Sequence, residues 1–146
     1  MKKLITTLLA LCLTTTASFS DVKLGIILGY TGPIESLTPD MASGAELAID
    51  EVNKSGSFSM GNVSGIRADS TCIDSSAATA AAERLITSDK INGIMGADCS
   101  GVTTAILQQV AMANGMVMVS PSATSPALST VEDNNLFFRT APSDAR

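Results

Sequence analysis

The 146-residue sequence has no histidine, no tryptophan and only one tyrosine. The absence of histidine excludes a Ser-His-Asp triad, a Cys-His couple and any histidine-ligated metal site. The scarcity of aromatic side chains argues against a stacking surface for single-stranded nucleic acid. With 14 acidic and 9 basic residues, the net charge is −5, which repels phosphate backbones. We therefore expect no metal, no cofactor and no nucleic-acid partner.

Apolar runs long enough to span a bilayer are also missing, because a membrane-spanning helix needs about 20 residues. The longest run, residues 4–13, follows a positively charged start and precedes a tail of small residues at 14–20. This order is typical of a secretory signal peptide, predicted here over residues 1–20 with cleavage before Asp21. A lipidated Cys12 is the alternative, although Leu11 before it does not fit a small-residue lipoprotein signal.

The mature chain would keep two of the three cysteines, Cys72 and Cys99. An even pair in an exported protein favours a disulfide, since such bonds persist in oxidising compartments. Two free buried thiols are the alternative. Loss of Lys2 and Lys3 with the leader would take the net charge from −5 to −7.

Short apolar runs alternate with amphipathic stretches along the mature chain, which predicts an α/β fold. Strands are expected at 22–28, 63–69, 91–95, 116–119 and 137–139. Helices are expected from an Asp40 N-cap to residue 53, over 77–87 with a cap at Asp74 or Ser75, and from Ser100 to the stop at Asn114-Gly115. Apolar strands of this kind form a three-layer parallel sheet with helices on both faces.

Ligands of open α/β sheets bind outside the carboxyl ends of the strands, where this sequence places hydroxyl-rich loops. A helix starting at Ser100 would offer N–H donors and a hydroxyl to a carboxylate or phosphate. Thr124 can accept as well as donate, and so could bind an ammonium group. The alternative is that Ser100 merely caps its helix and residues 120–125 form an ordinary turn.

An exported enzyme that uses Ser100 or Asp98 is a competing hypothesis. A serine nucleophile without histidine would need a lysine base. Lys90 precedes the third strand, at the wrong edge of the sheet. We therefore predict that the chain is not an enzyme.

Several motifs, taken in order, resemble the bacterial periplasmic solute-binding proteins that serve ABC importers of branched-chain amino acids. The resemblance covers essentially all of residues 22–146. The motifs are Val22-Lys23-Leu24-Gly25, Thr31-Gly32-Pro33, Gly44-Ala45-Glu46-Leu47-Ala48 with Asn53, Cys72 before an alanine-rich helix, Ile94-Met95-Gly96, Cys99-Ser100-Gly101, Ser120 to Pro126, and Phe138 to Asp144.

The resemblance implies a two-lobed clamshell that closes over its ligand, with residues 21–146 as an incomplete first lobe of the type I fold. It implies a Cys72–Cys99 disulfide and matches Ser100 to the serine that binds the ligand's α-carboxylate. Thr124 matches a threonine that touches carboxylate and ammonium, and Ser122 and Ala123 match backbone contacts beside the ligand. Leu37 falls near an aromatic position of the side-chain pocket.

This chain departs from the family pattern in three places. Leu37 is not aromatic, Asp98 is charged where an uncharged residue is expected, and the segment 55–65 is unusually polar. The resemblance implies a periplasmic, monomeric protein that carries a branched-chain or other neutral amino acid to a membrane permease. The extracellular sensing domain of a receptor and a binding protein for amides are the alternatives.

Overall fold

The computed structural model describes residues 21–145. The predicted leader at residues 1–20, with Cys12, therefore lies outside the described residues. The described elements, in chain order, are β1 (Val22–Leu28), α1 (Thr38–Ser55), β2 (Val63–Asp69), α2 (Ser75–Thr87), β3 (Gly93–Gly96), α3 (Ser100–Ile106), a π-helical stretch (Leu107–Ala111), α4 (Met112–Asn114), β4 (Met118–Ser120), a 3-10 helix (Pro126–Ser129) and β5 (Phe137–Arg139).

The five strands form one parallel sheet in the order β2-β1-β3-β4-β5. The predicted α/β architecture is confirmed, and β1, β2 and β5 have the predicted bounds. β3 and β4 begin two residues later than predicted. The reason is that the Ile91 N–H bonds the Leu85 carbonyl and the Met116 N–H bonds the Ala111 carbonyl, so both N–H groups are bonded to the preceding helices and not to a neighbouring strand.

The start of α1 differs from the prediction. Asp40 is not the N-cap, because the helix already begins at Thr38 and Pro39 occupies its first turn. Proline suits that position, where its missing N–H would have no helical partner. The Thr38 hydroxyl is buried and donates to the Gly29 carbonyl at 3.1 Å, which fixes the helix start against the end of β1.

The other helices follow the prediction more closely. The Asp74 carboxylate caps α2 by accepting from Ser76 N–H at 2.9 Å and Ala77 N–H at 3.0 Å. Gly115, with φ of 61°, ends the third helical segment as predicted. Ala113, expected on the inner face, is exposed. The wider π-helical turn before it shifts the buried positions, so that Leu107 and Ala111 are buried instead.

The core has two parts because the sheet buries both faces. One face packs against α2 and α3 around Ile27, Ile94 and Met118, and the other packs Ile26 and Leu28 against α1. On the α1 face, however, Val117, Val119 and Phe138 are 42%, 38% and 55% exposed. α1 thus covers the half of the sheet nearest β2, and an apolar groove of about 450 Å³ lies beside it.

That groove is lined by the first residues of β1 and β2, among them Val22 and Val63. It therefore opens at the amino edge of the sheet, away from the loops predicted to bind ligand. None of the helices in the described range is both long and apolar enough to cross a membrane.

Candidate ligand-binding site

The loops that follow β1, β2, β3 and β4 all leave the sheet at its carboxyl edge, here called the rim. Gly29, directly after β1, leaves little room for a side chain. A Cβ built on it would lie 3.2 Å from Cys72 Cβ and 3.3 Å from Asp98 Oδ2. Three loops therefore meet at Gly29, and glycine at this position allows the close approach.

Asp98 joins these loops through hydrogen bonds. Its Oδ2 accepts from Gly29 N–H at 2.7 Å, and its Oδ1 accepts from Cys99 N–H at 2.9 Å and from the Ser70 hydroxyl at 3.3 Å. Its own carbonyl accepts from the Ser122 hydroxyl at 3.1 Å. Asp98 and Ser70 are both buried. One carboxylate thus links the loops after β1, β2 and β3.

The predicted disulfide between Cys72 and Cys99 is present, with a Cα–Cα distance of 5.2 Å. It ties the loop after β2 to the residue that precedes α3. Cys72 and Thr71 both have positive φ, 70° and 57°, a conformation uncommon outside glycine. The bond therefore holds a locally unfavourable turn beside the start of α3.

Ser100 is the first residue of α3, and its hydroxyl does not cap that helix. Instead, Ser100 Oγ accepts from Thr124 N–H and Ser125 N–H, each at 3.1 Å. A hydroxyl has two acceptor lone pairs and one donor proton. Both lone pairs are filled, and no acceptor within residues 21–145 takes the proton. Ser100 is half-buried at the rim and is left as a pure hydrogen-bond donor.

Ser120 fixes the loop that carries Ser122, Ala123 and Thr124. Its buried hydroxyl donates to the Ala97 carbonyl at 2.5 Å and accepts from Ala123 N–H at 2.9 Å. Ala123 is fully buried, and its carbonyl accepts from Arg139. Both polar backbone atoms of Ala123 therefore have partners inside the chain. The backbone contacts predicted for Ser122 and Ala123 remain predictions.

Thr124 is held in a defined orientation by Asp144, a residue 20 positions later. The Thr124 hydroxyl donates to Asp144 Oδ2 at 2.8 Å, and the Thr124 carbonyl accepts from Asp144 N–H at 2.9 Å. Since the hydroxyl proton is donated to Asp144, Thr124 Oγ1 can act towards a ligand only as an acceptor. Ser100 at the start of α3 and Thr124 on the adjoining loop thus present opposite hydrogen-bonding polarity.

Arg139, at the end of β5, is a positioning residue that the sequence did not single out. Its guanidinium donates to the Ala123 carbonyl at 3.2 Å, the Ser125 carbonyl at 2.9 Å and the Ser129 hydroxyl. The sequence does offer one signal for Arg139: it is a lone cation that directly follows the two phenylalanines of β5 and precedes a polar loop. These three hydrogen bonds hold the loop after β4 and the 3-10 helix that follows it against β5.

Leu37 lies apart from the contacts that join Ser100 to Thr124. It precedes α1 and its side chain is 62% exposed. Its predicted role in a side-chain pocket stays a prediction.

Tyr30 and Asp69 complete the rim near β1. Partial burial raises the pKa of the Asp69 carboxyl, but hydrogen bonds from the Thr31 hydroxyl and from nearby backbone N–H groups outweigh it, so that the pKa lies below its usual range. The Arg67 guanidinium lies 5.6 Å from the Tyr30 ring centroid and pairs with Glu46 at 2.7 Å. Together, these side chains attach the loop that follows β1 to strand β2.

Tyr30 gives a testable pH dependence. Burial raises the pKa of the phenol from 10.0 to about 12, while the nearby Arg67 charge opposes this shift. Since the folded pKa exceeds the unfolded one, the neutral phenol stabilises the fold below about pH 10, and this contribution is lost as pH rises towards 12. The ultraviolet absorbance titration of the protein, after subtraction of that of a Tyr30→Phe variant, should show the Tyr30 phenol ionising near pH 12. Ionisation near pH 10 would contradict the observed burial.

The motifs at this rim can be compared with known proteins. A family described as periplasmic binding protein matches residues 21–146. The chain belongs to the periplasmic binding protein family. The match covers all the described strands, and the expected first-lobe fold of the type I class is thereby confirmed.

Relatives within this family are similar along most of the chain. Leu/Ile/Val-binding protein homolog 3 of Brucella melitensis is 31% identical over 130 residues, which cover 89% of this chain and 34% of that protein. The Leu/Ile/Val-binding protein of Citrobacter freundii is 29% identical over 144 residues, which cover 99% of this chain and 38% of that protein. The chain thus spans about a third of the length of these relatives.

Solved structures support the same assignment. The branched-chain amino acid transporter substrate-binding protein LivJ from Streptococcus pneumoniae, in complex with isoleucine, has a TM-score of 0.76 and 25% identity. The alignment covers 86% of this chain and 35% of LivJ. These members of the periplasmic binding protein family are solute-binding proteins, not enzymes. Lys90 precedes β3, at the edge of the sheet opposite Ser100, so the lysine base of the enzyme hypothesis is misplaced.

Proposed function

We propose that this chain is the first lobe of a periplasmic solute-binding protein that captures a neutral zwitterionic amino acid for an ABC importer. The observation that carries the proposal is the Ser100 hydroxyl. Its lone pairs are filled by Thr124 N–H and Ser125 N–H, and its proton remains to be donated at the rim. A carboxylate accepts such a bond, and a hydrogen bond to a charged group is among the stronger ones.

Thr124 supplies the matching half of the recognition. The Thr124 hydroxyl donates its proton in a hydrogen bond to Asp144, so its oxygen can accept a hydrogen bond from an ammonium group. The Asp144 carboxylate beside it favours the positive charge. A donor at the start of α3 and an acceptor on the adjoining loop suit the two ends of an α-amino acid. A plain carboxylate would use only the donor, whereas a neutral amide could bond both groups but lacks the charges that strengthen each bond.

The side-chain preference that we propose is branched and aliphatic. The support comes from the relatives, which are named as Leu/Ile/Val-binding proteins, and from the isoleucine bound to LivJ. Leu37 adds an exposed aliphatic surface near the start of α1. Another neutral amino acid or an amide is an outcome that the binding test can report.

Capture would require a second lobe. We propose that the ligand lies between the rim and that lobe, that closure buries it, and that a membrane permease accepts the closed form in the periplasm. A ligand shifts the open and closed populations only as far as its affinities for the two states differ. The rim groups described above would contact the ligand in the closed state.

Calorimetry of the full-length protein against the neutral amino acids, with their amides included, tests this proposal. We expect at least one branched aliphatic amino acid to bind with a Kd of about 1 μM or tighter, which corresponds to about −8 kcal/mol. Acidic and basic amino acids serve as matched controls and should bind far more weakly. Absence of heat across the neutral panel would contradict amino acid capture.

A further inference from the structure

Asp98 carries a negative charge that the proposed recognition of the amino acid does not use. It is 4% exposed, yet it accepts hydrogen bonds from Gly29 N–H, Cys99 N–H and the Ser70 hydroxyl. Each of its side-chain oxygens acts as an acceptor, as expected of an ionised carboxylate. Three neutral donors stabilise the charge but do not cancel it.

A compensating cation is absent from the contacts of Asp98 in the part of the chain that the structure describes. The ion pairs there involve Asp50, Glu46 and Asp89. Arg139 reaches the rim, but its N–H groups bond the carbonyls of Ala123 and Ser125 and the Ser129 hydroxyl. The negative charge is therefore fixed behind the loops without a salt-bridge partner.

The position of this charge matters because Asp98 is two residues from Ser100. Its carbonyl also bonds Ser122, on the same loop as Thr124. A unit charge within about 12 Å changes a binding constant by about tenfold at an effective dielectric of about 20. A ligand with only a carboxylate at Ser100 experiences this charge as repulsion. The ammonium of a zwitterion offsets the repulsion with an attraction of similar size.

We propose that Asp98 contributes to the charge selectivity of the rim: alongside the Asp144 carboxylate at Thr124, its buried carboxylate disfavours simple carboxylates and favours ligands that also carry a cationic group. This inference rests on the proposed capture of an amino acid. Asp98 also positions the loops through its hydrogen bonds. A variant that loses these bonds would therefore change the affinities of all ligands together. The ratio of two affinities separates charge selectivity from positioning.

The test uses leucine and 4-methylpentanoate, which share a carboxylate and an isobutyl group but differ in the ammonium. Their affinities for the full-length protein are measured by displacement of labelled leucine. In Asp98→Asn, we expect the preference for leucine over 4-methylpentanoate to fall by about tenfold. Asp98→Ser, also neutral, provides a second measurement if the asparagine variant does not fold.

Two charge-preserving variants act as controls. Asp98→Glu keeps the charge, and Ser70→Ala removes one donor to Asp98 while leaving the carboxylate in place. Both should retain the wild-type preference even if they bind every ligand more weakly. An unchanged preference in the neutral variants would overturn the inference while leaving leucine binding intact. Failure of the wild-type protein to bind any amino acid would instead reject the proposed function.

Discussion

Replacing Ser100 by alanine in the full-length protein should weaken amino acid binding by about 10- to 100-fold. The substitution removes the hydroxyl proton that we propose is donated to the ligand carboxylate, and a hydrogen bond to a charged group contributes about 1.5–3 kcal/mol. It also leaves Thr124 N–H and Ser125 N–H without their acceptor, which loosens the loop after β4. Calorimetric titration with the best ligand of the neutral panel measures the loss.

Two further variants make this result specific. Ser43→Ala removes an exposed hydroxyl that donates within α1 to the Pro39 carbonyl, so binding should remain at the wild-type level. Ser100→Thr keeps a hydroxyl in place and should recover much of the lost affinity. Equal binding by Ser100→Ala and the wild type, with both proteins folded, would remove Ser100 from the site.

The second large effect is on stability. Replacing both Cys72 and Cys99 by alanine should lower the free energy of unfolding of this lobe by about 3–4 kcal/mol. The sequence separation is 27 residues, and the entropy of closing such a loop in the unfolded chain gives this magnitude. The bond also holds Thr71 and Cys72 in their positive φ conformation, and its loss allows the turn to relax.

Denaturant unfolding of the oxidised wild type and the double variant measures this difference. Reductant provides the control: it should lower the wild-type unfolding midpoint and leave that of the variant unchanged. A wild-type midpoint that does not respond to reductant, or two reactive thiols in unreduced protein, would be incompatible with the Cys72–Cys99 bond.

Much of the fold could be predicted because its signals are local. The apolar run of β1, the Asp74 cap and the Gly115 stop each depend on residues within one turn or strand. The errors occurred where neighbouring elements compete for the same residues. Ile91 and Met116 look like strand residues, but their N–H groups bond carbonyls of the preceding helices, and Thr38 is fixed by the Gly29 carbonyl at the end of β1.

The candidate site was predictable only in part. The rule that ligands bind at the carboxyl edge of a parallel sheet was sufficient to select Ser100 and Thr124. Their polarity could not be foreseen, because it depends on partners 20–25 residues away. The Thr124 hydroxyl donates to Asp144, and the Ser125 N–H donates to a lone pair of Ser100 Oγ. No local pattern marks these pairs, and the same holds for the three bonds of Arg139.

The most direct test of amino acid capture at this rim is the structure of the full-length protein with its tightest-binding neutral amino acid. We expect a ligand carboxylate oxygen about 2.5–3.0 Å from Ser100 Oγ, as in an O–H···O hydrogen bond. We also expect the ligand ammonium to donate to Thr124 Oγ1. A ligand bound elsewhere, or with its carboxylate out of reach of Ser100, would contradict amino acid capture at this rim.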